Sequence, residues 1–519
     1  MSSNVQITGF LADSSRRYVR IQASNGSATL PYEAFSIANK RLAADLVSAG
    51  LPVFADEDLE AIVEEVRALL FFQPGGVVEH SGWNGNAFAL LDGKVISGDG
   101  PTPEVLFLAE PERVSSSGTL DGWKAVARAV KHHPLPAFAQ MAMFVPPLLR
   151  FMPQVGSVTI ELVGPGDTWK SVIRAVAGSV VGPPSCVRGL RDLQRDLAGV
   201  QRQARDYPLL IGFVAPALAT ASKPKRAELF TAVDYDLARA PGGRVTLLLA
   251  GQPLRDACGM PTLEDRIITI PVPLGDQGIF AALPEGFASY AALGDHLTAI
   301  ASADYGVAYP AFVGALHADL RADHKAVKDK IERLRAQFLA DLQVRSNNGV
   351  DHRVAQVFAA VHTATRLASE YRVLPKQFRS KTTVLAVLDA FRQTATARLP
   401  FLTRLESLIS SGKLVTITKE AEPEAQALAI GNALGSLTMK VGERIAKIPP
   451  EKIEQAFPDW KRIRGTAEVR AALKIDGKNL ATWGHLAPGM ERTRLHQFVL
   501  PPAPAEQSMF AGIAEAAAT

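Results

Sequence analysis

Val158-Thr-Ile-Glu-Leu-Val163, Gly164-Pro-Gly-Asp-Thr-Trp-Lys-Ser171 and the residues 172–181 that follow predict a strand, a glycine-containing turn and a helix. The turn nearly fits the pattern G-x-x-x-x-G-K-[ST] of a phosphate loop. In such loops backbone N–H groups surround phosphates, the lysine reaches the β- and γ-phosphates and the hydroxyl binds Mg²⁺. ATP with Mg²⁺ would be the ligand of such a site. The candidate nucleotide-binding residues are Gly164, Gly166, Thr168, Lys170 and Ser171.

Two departures from the pattern affect the same site. Trp169 stands where the consensus has its second glycine, which lets the backbone pass close beneath the phosphates. The next strongly apolar strand, Leu209-Leu-Ile-Gly-Phe-Val-Ala-Pro216, contains no Asp or Glu, although phosphoryl transfer needs an acid there to hold Mg²⁺ or to polarise water. The two departures predict a site that keeps its shape and has lost or weakened ATP hydrolysis.

An active site with an atypical metal ligand is an alternative. Asp206 precedes the acid-free strand, and Asp234 and Asp236 follow it. Any of the three could supply the missing carboxylate if the fold returned it to the phosphate loop. A further alternative is an ordinary strand–turn–helix unit in which Lys170 is solvated.

Strands and helices alternate along the chain around this segment. Further apolar strands are predicted at residues 209–214, 245–250 and 267–272, with helical stretches between them. Such alternation predicts an α/β fold with a mostly parallel sheet. The predicted domains are an N-terminal β-rich domain (1–104), the α/β core (105–285), a helical lid-like region (286–398) and a C-terminal helical domain with the element order of a winged helix and a mobile tail (399–519).

The composition excludes several classes of protein. The chain has 519 residues, of which 47% are hydrophobic and 21% charged, and this excludes wholesale disorder. Two cysteines, Cys186 and Cys258, exclude a disulfide scaffold and fit a reducing cytoplasm. With no targeting segment and no apolar run long enough to span a bilayer, we expect a cytoplasmic protein without membrane contact. No histidine has partners at metal-ligand spacing, so no separate metal site is predicted.

The net charge is small overall but uneven along the chain. The formal charge is +4, whereas residues 321–398 hold 15 Lys and Arg against 7 Asp and Glu. Residues 1–320 hold 26 against 32. Clustered cations on one face bind nucleic-acid phosphates, and the alternative is a solvated helix face. The candidate nucleic-acid contacts are Arg372, Lys376, Arg379, Lys381, Lys461, Arg462 and Arg464.

The order of motifs resembles a domain-of-unknown-function family of helicase-like ATPases that phages, plasmids and staphylococcal mobile islands encode, often beside primases. The resemblance covers residues 5–398 and includes the phosphate loop. The other motifs that carry it are Gly82-Trp83-Asn84-Gly85, Phe88-Ala-Leu-Leu-Asp-Gly-Lys-Val-Ile96, Gly118-Thr-Leu-Asp-Gly-Trp123, Thr246-Leu-Leu-Leu-Ala-Gly-Gln252, Asp265-Arg-Ile-Ile-Thr-Ile-Pro271, Tyr305-Gly306 and residues 353–371.

The resemblance implies an α/β core of the P-loop NTPase type (AAA+ or RecA-like) with ATPase activity, in a protein that assembles as a ring, typically a hexamer, and moves on DNA. By position, it assigns nucleotide binding to Lys170 and Ser171. Gln252 resembles a polar sensor, Arg266 an arginine finger supplied to a neighbouring subunit and Arg353 a second sensor arginine. Arg266 also suits an ordinary surface position at a strand edge.

The departures from the family pattern concern hydrolysis. The family usually has a Thr-Gly-Lys-Thr loop and an Asp-Glu pair, where this chain has Trp169 and then Gly212-Phe213. We therefore expect a degenerate, DNA-binding, helicase-like ATPase of a mobile element, acting by itself, in a homo-oligomeric ring or in a hetero-oligomer with an active relative. The alternatives are an active, atypical DNA translocase and a non-enzymatic scaffold.

Overall fold

A computed structural model describes residues 5–500 apart from 13, 37, 50, 100–101, 107–113, 213, 261–266, 274–276, 343–348, 377, 399–400, 418–422, 441–442, 459, 475–479 and 489. The chain forms two compact units, one extending to Phe391 and the other beginning at Arg392. Each unit has its own apolar core. The described helices include none that is both long enough and apolar enough to cross a membrane.

The first unit begins with three small sheets. β1 (Gln6–Leu11) pairs antiparallel with β2 (Arg17–Ala23), which pairs with β3 (Gly26–Pro31), and β4 (Gln73–Pro74) adds a parallel edge. β5 (Val77–Val78) pairs with β9 (Glu104–Val105), and β6 (Gly82–Asn84) pairs with β7 (Ala87–Ala89), which pairs with β8 (Val95–Ile96). Apolar side chains of the first sheet form a cluster with those of the helices Lys40–Ser48 and Asp56–Arg67.

The largest sheet of the first unit is wholly parallel. Its strand order is β11 (Arg188–Gly189), β12 (Pro208–Gly212), β13 (Val245–Ala250), β10 (Val158–Val163), β14 (Ile267–Pro271). β13 is buried along its whole length and β10 along nearly all of it, as expected for parallel strands covered on both faces. The prediction of an α/β fold with a parallel sheet is confirmed.

Helices surround this sheet, and the helix Thr168–Gly178 packs against Pro134–Ala142 and Tyr290–Ala303. The helix Pro134–Ala142 is buried on all sides, which anchors its neighbour firmly in the core. The described helices from residue 120 to residue 398 are Leu120–Val130, Pro134–Ala142, Thr168–Gly178, Leu190–Arg195, Leu197–Gln203, Val214–Ala219, Lys223–Thr231, Leu237–Arg239, Leu254–Cys258, Tyr290–Ala303, Ala308–Ala322, His324–Asp341, Gly349–Glu370 and Ser380–Arg398.

Asp206 joins the N-terminal region to the parallel sheet. Its carboxylate accepts the backbone N–H of Trp83 at 3.1 Å and that of Gly243 at 2.7 Å, and its carbonyl accepts the Tyr309 hydroxyl at 2.6 Å. Burial raises the pKa of Asp206, while the two N–H donors oppose the rise. Because its partners come from distant parts of the sequence, Asp206 holds three segments of the first unit together.

The second unit contains a mixed five-stranded sheet. Its strand order is β15 (Leu414–Ile417), β16 (Gly435–Lys440), β17 (Glu443–Ile448), β19 (Thr493–Leu500), β18 (Thr482–Gly484). Its described helices are Phe401–Ser410, Pro423–Gly431, Pro450–Ala456, Trp460–Ile463 and Ala467–Ala472. Short helices followed by β18 and β19 match the element order expected, but β19 also pairs with β17 in a larger sheet. The winged helix stays a prediction, and the tail lies outside the described residues.

Gly82, the first residue of β6, tests the contact between the N-terminal region and the segment before β12. Gly82 has a left-handed backbone (φ +82°), and a methyl group there would lie 2.4 Å from the Arg205 carbonyl oxygen. We expect Gly82→Ala to lower the free energy of unfolding by about 2 kcal/mol or more, because backbone strain and a steric clash act together. Gly85→Ala is the matched control, since Gly85 is also left-handed (φ +57°) but lies in open space. Chemical denaturation measures both variants, and equal losses would contradict the steric contact.

Candidate functional site

The phosphate-loop candidate begins where β10 ends inside the parallel sheet. The pairing of β10 continues past the strand, because the Gly164 N–H donates to the Ala250 carbonyl (3.1 Å) and the Val272 N–H to the Val163 carbonyl (2.7 Å). A methyl group on Gly164 would lie 2.7 Å from the Val272 Cβ, which favours glycine at this position. Gly166 (φ +77°) then turns the chain into the helix, with open space around it. The sheet therefore fixes the position of Gly164 at the start of the loop. The space around Gly166 is open.

The loop lies where the connections of the sheet diverge. After β10 the chain crosses over β13 and β12 and forms β11, at one edge of the sheet. After β13 it crosses over β10 in the opposite direction and forms β14, at the other edge. Ligands of open α/β sheets bind at such a point, outside the carboxyl ends of the strands. A methyl group on Gly251, the first residue after β13, would lie 3.8 Å from Lys170 Nζ. The Lys170 amine is therefore at this crevice.

Trp169 folds back onto the loop. Its indole Nε1 donates to the Pro165 carbonyl at 2.8 Å, and only 8% of the residue is exposed. The ring satisfies one carbonyl of the loop and fills space that a glycine would leave open. Trp169 thus stabilises the loop in its present shape, instead of projecting from it.

Lys170 is paired with a neighbour in the loop. Its Nζ lies 2.9 Å from Asp167 Oδ1 and 5.5 Å from the centroid of the Trp169 ring. The hydrogen bond from Lys170, together with its charge, lowers the pKa of Asp167. Because the Asp167 side chain is 94% exposed and exposed ion pairs contribute little to stability, a phosphate oxygen could replace this carboxylate.

The Ser171 hydroxyl is also engaged by protein groups. Its Oγ donates to the Asp167 carbonyl at 3.3 Å and accepts a hydrogen bond from Arg174 Nη2 at 3.1 Å. Arg174 also approaches the end of β12, where a methyl group on Gly212 would lie 3.5 Å from Arg174 Cδ. The Arg174 side chain therefore links the phosphate-loop helix to the carboxyl end of β12.

The described residues do not fit the Mg²⁺ site that a phosphate loop implies. β12 ends at Gly212 without a carboxylate, and Phe213 lies outside the described residues. Glu161 in β10 is buried and accepts the Leu254 N–H at 2.6 Å and the Thr269 hydroxyl at 3.1 Å. Within the ranges that the structure covers, no group of three or more His, Cys, Asp and Glu side chains could hold a metal ion.

The expectation that Asp206, Asp234 or Asp236 could supply the metal ligand is wrong. Asp206 lies two residues before β12, at the amino edge of the sheet. Asp234 and Asp236 lie in a π-helical turn whose backbone accepts the Thr159 hydroxyl at 3.4 Å, near the start of β10. The phosphate loop follows the carboxyl end of β10. Since strands of this length extend roughly 17 Å at about 3.3 Å per residue, these carboxylates are too far from the loop.

The other residues predicted for catalysis or nucleotide binding are divided between regions. Gln252 is exposed and follows β13, so it lies at the same edge of the sheet as Lys170. Thr168 is the first residue of the phosphate-loop helix and is exposed. Arg353 lies near the start of a different, long helix and is half-buried. Arg266 lies outside the described residues.

A second candidate site is a cleft of about 600 Å³, which we call the basic cleft. Its walls come from the helices His324–Asp341 and Gly349–Glu370 and from residues 376 and 378–382, before and at the start of the helix Ser380–Arg398. Three of the predicted nucleic-acid contacts lie together in it. The charged residues that line the basic cleft are Arg366, Lys376, Arg379, Lys381, Asp341 and Glu370.

Ion pairs neutralise part of the basic cleft. Lys381 Nζ lies 2.6 Å from Asp341 Oδ2, and Lys330 Nζ lies 2.8 Å from Glu370 Oε2. The three other cations of the cleft are exposed and have no acidic partner among the residues that the structure describes. The basic cleft therefore keeps an excess of positive charge. These three cations are Arg366, Lys376 and Arg379.

A buried histidine forms part of the wall of the basic cleft. The His362 ring stacks on Phe338 at 4.8 Å between centroids, and its Nδ1 lies 3.1 Å from Ser380 Oγ. Burial, and then the positive charges of Arg366 and Lys381, lower the pKa of His362 to about 4. His362 is therefore neutral at neutral pH, and the positive charge of the cleft comes from its Arg and Lys side chains.

The remaining predicted nucleic-acid contacts lie elsewhere. Arg372 is exposed just after the helix Gly349–Glu370, in the left-handed region (φ +59°), and does not line the basic cleft. In the second unit, Lys461 lies 3.3 Å from Glu454, and Arg464 is exposed. The Arg462 side chain lies outside the described part of the chain.

Two arginines of these sites escaped the sequence analysis. Arg174 follows Ser171 by three residues, a helical spacing that places both on one face and could have identified it. Arg366 belongs to a helix that reads as largely apolar. Only the packing of helices brings Arg366 to the same cleft as residues 376 and 378–382, and no local pattern signals that proximity.

Comparisons with known proteins found a family model and several solved structures that are similar to this chain. The model of the domain-of-unknown-function family DUF927 matches residues 17–211. The structure of Cch of SCCmec type IV, described as an active helicase, matches with a TM-score of 0.58 and 16% identity, over 96% of this chain and 94% of that chain. Two apo structures of the NrS-1 C-terminal region give TM-scores of 0.23 and 0.21 at 9% and 10% identity, covering 96% and 70% of this chain and 96% and 88% of theirs. No curated protein matches the sequence.

The likeness to Cch shows a shared fold. The DUF927 match includes residues 82–85, the phosphate-loop candidate and nearly all of β12. The expected resemblance to a domain-of-unknown-function family is therefore confirmed over residues 17–211. The part of the expected resemblance beyond residue 211 stays a prediction.

The environment of His362 predicts a pH dependence of stability. His362 stays neutral in the folded protein down to a pH of about 4, whereas in the unfolded chain it binds a proton near pH 6.5. Because the unfolded state then binds more protons, the free energy of unfolding falls as the pH falls through this window. We expect His362→Gln to remove a slope of up to about 1.4 kcal/mol per pH unit, measured by urea denaturation at pH 7 and pH 5. The exposed His296→Gln is the control, and an identical pH dependence of both variants would contradict the expectation.

Proposed function

We propose that this chain is a helicase-like P-loop protein of a mobile genetic element, which binds nucleotide and DNA and has lost or much weakened ATP hydrolysis. The observation that carries the proposal is the position of Lys170. It lies at the carboxyl edge of a parallel sheet, where the connections diverge, while the strand β12 of that sheet ends without an acid. The protein would act in the replication or maintenance of the element.

Three properties of the loop support nucleotide binding. The N-terminal N–H groups of the helix Thr168–Gly178 have no partner within the helix and carry its positive dipole end, which favours an anion. Gly166 leaves open space on the outer side of the loop. The carboxylate of Asp167, held by Lys170, is exposed, so a phosphate can compete for the amine.

The same site argues against efficient hydrolysis. Phosphoryl transfer needs a metal ligand and a group that orients the attacking water. β12 provides neither at Gly212, and the Ser171 hydroxyl that would bind Mg²⁺ already accepts a hydrogen bond from Arg174. The acids Asp206, Asp234 and Asp236, on which an active translocase would depend, lie at the far edge of the sheet.

The basic cleft supports DNA binding. Its three cations without an acidic partner are exposed and surround one opening, and neutralising phosphates requires only such clustering. The start of the helix Ser380–Arg398 adds backbone N–H groups at the same place. We therefore propose the sugar–phosphate backbone of DNA as the ligand of the cleft, with contacts that do not read the sequence.

The proposal includes the assembly of this chain with other subunits. The likeness to Cch supports a helicase fold, and a chain that binds ATP without turning it over could serve in a homo-oligomeric ring, such as a hexamer, or beside an active relative. In such a ring Gln252 would sense the nucleotide, Arg353 would act as a second sensor, and Arg266 would reach a neighbouring subunit. ATP binding in place of hydrolysis would then stabilise the subunit interface.

Nucleotide binding is tested by opening the loop. We expect the wild type to bind ATP weakly and Trp169→Gly to bind it at least about threefold more tightly, because loss of the indole leaves room beneath the phosphates. Lys170→Ala should weaken binding about tenfold, since a charged hydrogen-bond donor to the phosphates is lost. Isothermal titration calorimetry measures the affinities, and phosphate release measures hydrolysis.

Lys124→Ala is the matched control for Lys170→Ala. Lys124 pairs with Asp121 at 2.9 Å with the same spacing of three residues and nearly the same exposure, but on another helix. It should leave ATP binding unchanged. Hydrolysis by the wild type at ordinary helicase rates, abolished by Lys170→Ala, would contradict the loss of hydrolysis.

DNA binding is tested by neutralising the basic cleft. We expect Lys376→Gln/Arg379→Gln to weaken binding to DNA and to reduce the slope of log K against log salt concentration by about 1.4 to 1.8, the loss expected for two phosphate contacts. Fluorescence anisotropy with single-stranded and duplex oligonucleotides over a range of salt concentrations gives both quantities. Lys381 is left intact because it pairs with Asp341.

The control for the cleft is Lys223→Gln/Lys225→Gln. These two lysines are exposed on the short helix Lys223–Thr231, so the change in net charge is the same. If both double variants weaken binding equally, the effect is one of total charge and the cleft is not the site. If the wild type binds neither oligonucleotide, the scaffold function replaces the DNA-binding one.

A further inference from the structure

The end of β12, where a metal-binding acid would stand, is contacted by a side-chain carbon of Val187 and by the side chain of Arg174. Gly212 has no side chain, and the aliphatic part of Arg174 approaches it, with Cδ 3.5 Å from where a Cβ would lie. The guanidinium end of the same side chain donates to Ser171 Oγ at 3.1 Å. One arginine therefore contacts the hydroxyl that would bind Mg²⁺ and the strand end that would supply the second ligand.

The electrostatics of the site differ accordingly from those of a metal site. A carboxylate at the end of β12 would attract Mg²⁺, whereas the positive charge of Arg174 repels it. Arg174 also contributes to lowering the pKa of Asp167, after the larger effect of Lys170, so its charge is felt at the loop. Lys170 and Arg174 together place two positive charges around the space that phosphates would fill.

We propose that Arg174 takes the place of the divalent cation, so that the site binds nucleoside triphosphate without Mg²⁺. This inference rests on the proposed nucleotide binding and names the form of the ligand, the free polyanion. Uncomplexed ATP carries more negative charge than its magnesium complex, and the two cations complement that charge. A guanidinium group also donates two parallel hydrogen bonds to phosphate oxygens, which gives it a defined orientation.

The role proposed for Arg174 explains why the site would bind and not hydrolyse. A guanidinium group can neutralise phosphate oxygens but does not bind and activate a water molecule as a metal does. It is also fixed to the helix that carries the loop, so its charge is present before the ligand arrives. Arg174 is therefore a binding and specificity-determining residue of this site.

The test compares ATP binding by the full chain in excess EDTA and in excess Mg²⁺ at equal ionic strength. We expect the dissociation constant in EDTA to be equal to that in Mg²⁺ or lower. Arg174→Gln should raise the dissociation constant in EDTA about tenfold, because one charged bidentate contact is lost. Arg174→Lys should recover part of that loss through its charge. The exposed Arg333→Gln, on another helix, controls for net charge and should change nothing.

The outcomes separate this inference from the function on which it rests. Binding that Mg²⁺ strengthens tenfold or more, with Arg174→Gln unchanged, would overturn the role of Arg174 and leave nucleotide binding intact. The absence of ATP binding in both conditions, for the wild type and for Trp169→Gly, would overturn nucleotide binding itself. The comparison in the wild type requires no substitution, so it holds even if Arg174→Gln fails to fold.

Discussion

The parallel pairing of β10 between β13 and β14 is the interaction on which the rest of the first unit depends. Backbone hydrogen bonds on both sides of β10 bring the ends of three strands to one edge, and they continue into the loop through Gly164 and Val272. Because this ladder is buried, its backbone groups must stay paired, and the loop has little freedom to shift. The position of Lys170 beside Gly251 follows directly from it.

The loop between β10 and the helix Thr168–Gly178 is closed by its own side chains. The Trp169 indole binds the Pro165 carbonyl, Lys170 holds Asp167, and Ser171 accepts from Arg174. Each of these is a single hydrogen bond or an exposed ion pair, and such interactions are individually weak in water. Several weak polar contacts within the loop therefore hold its shape together.

The charge of the protein is organised by tertiary contacts. In the helical region the sequence excess of cations is partly cancelled by pairs such as Lys381 with Asp341, and three exposed cations lie together in the basic cleft. Burial, and then the positive charges of Arg366 and Lys381, lower the pKa of His362 in the wall of this cleft. Part of the positive charge that the sequence carries in this region is thus brought to one local surface.

The sequence by itself determined the strand–turn–helix around Gly164, the parallel sheet and the absence of an acid at the end of β12, because these depend on local hydrophobic patterns and residue identity. Only the tertiary structure decided that Asp206 lies at the edge away from the loop, where it binds Trp83 and Gly243. It alone decided that Arg174 reaches Gly212 and that Arg366 joins the basic cleft. These contacts join residues far apart along the chain, so they exist only after the sheet and helices have packed, and no local pattern encodes them.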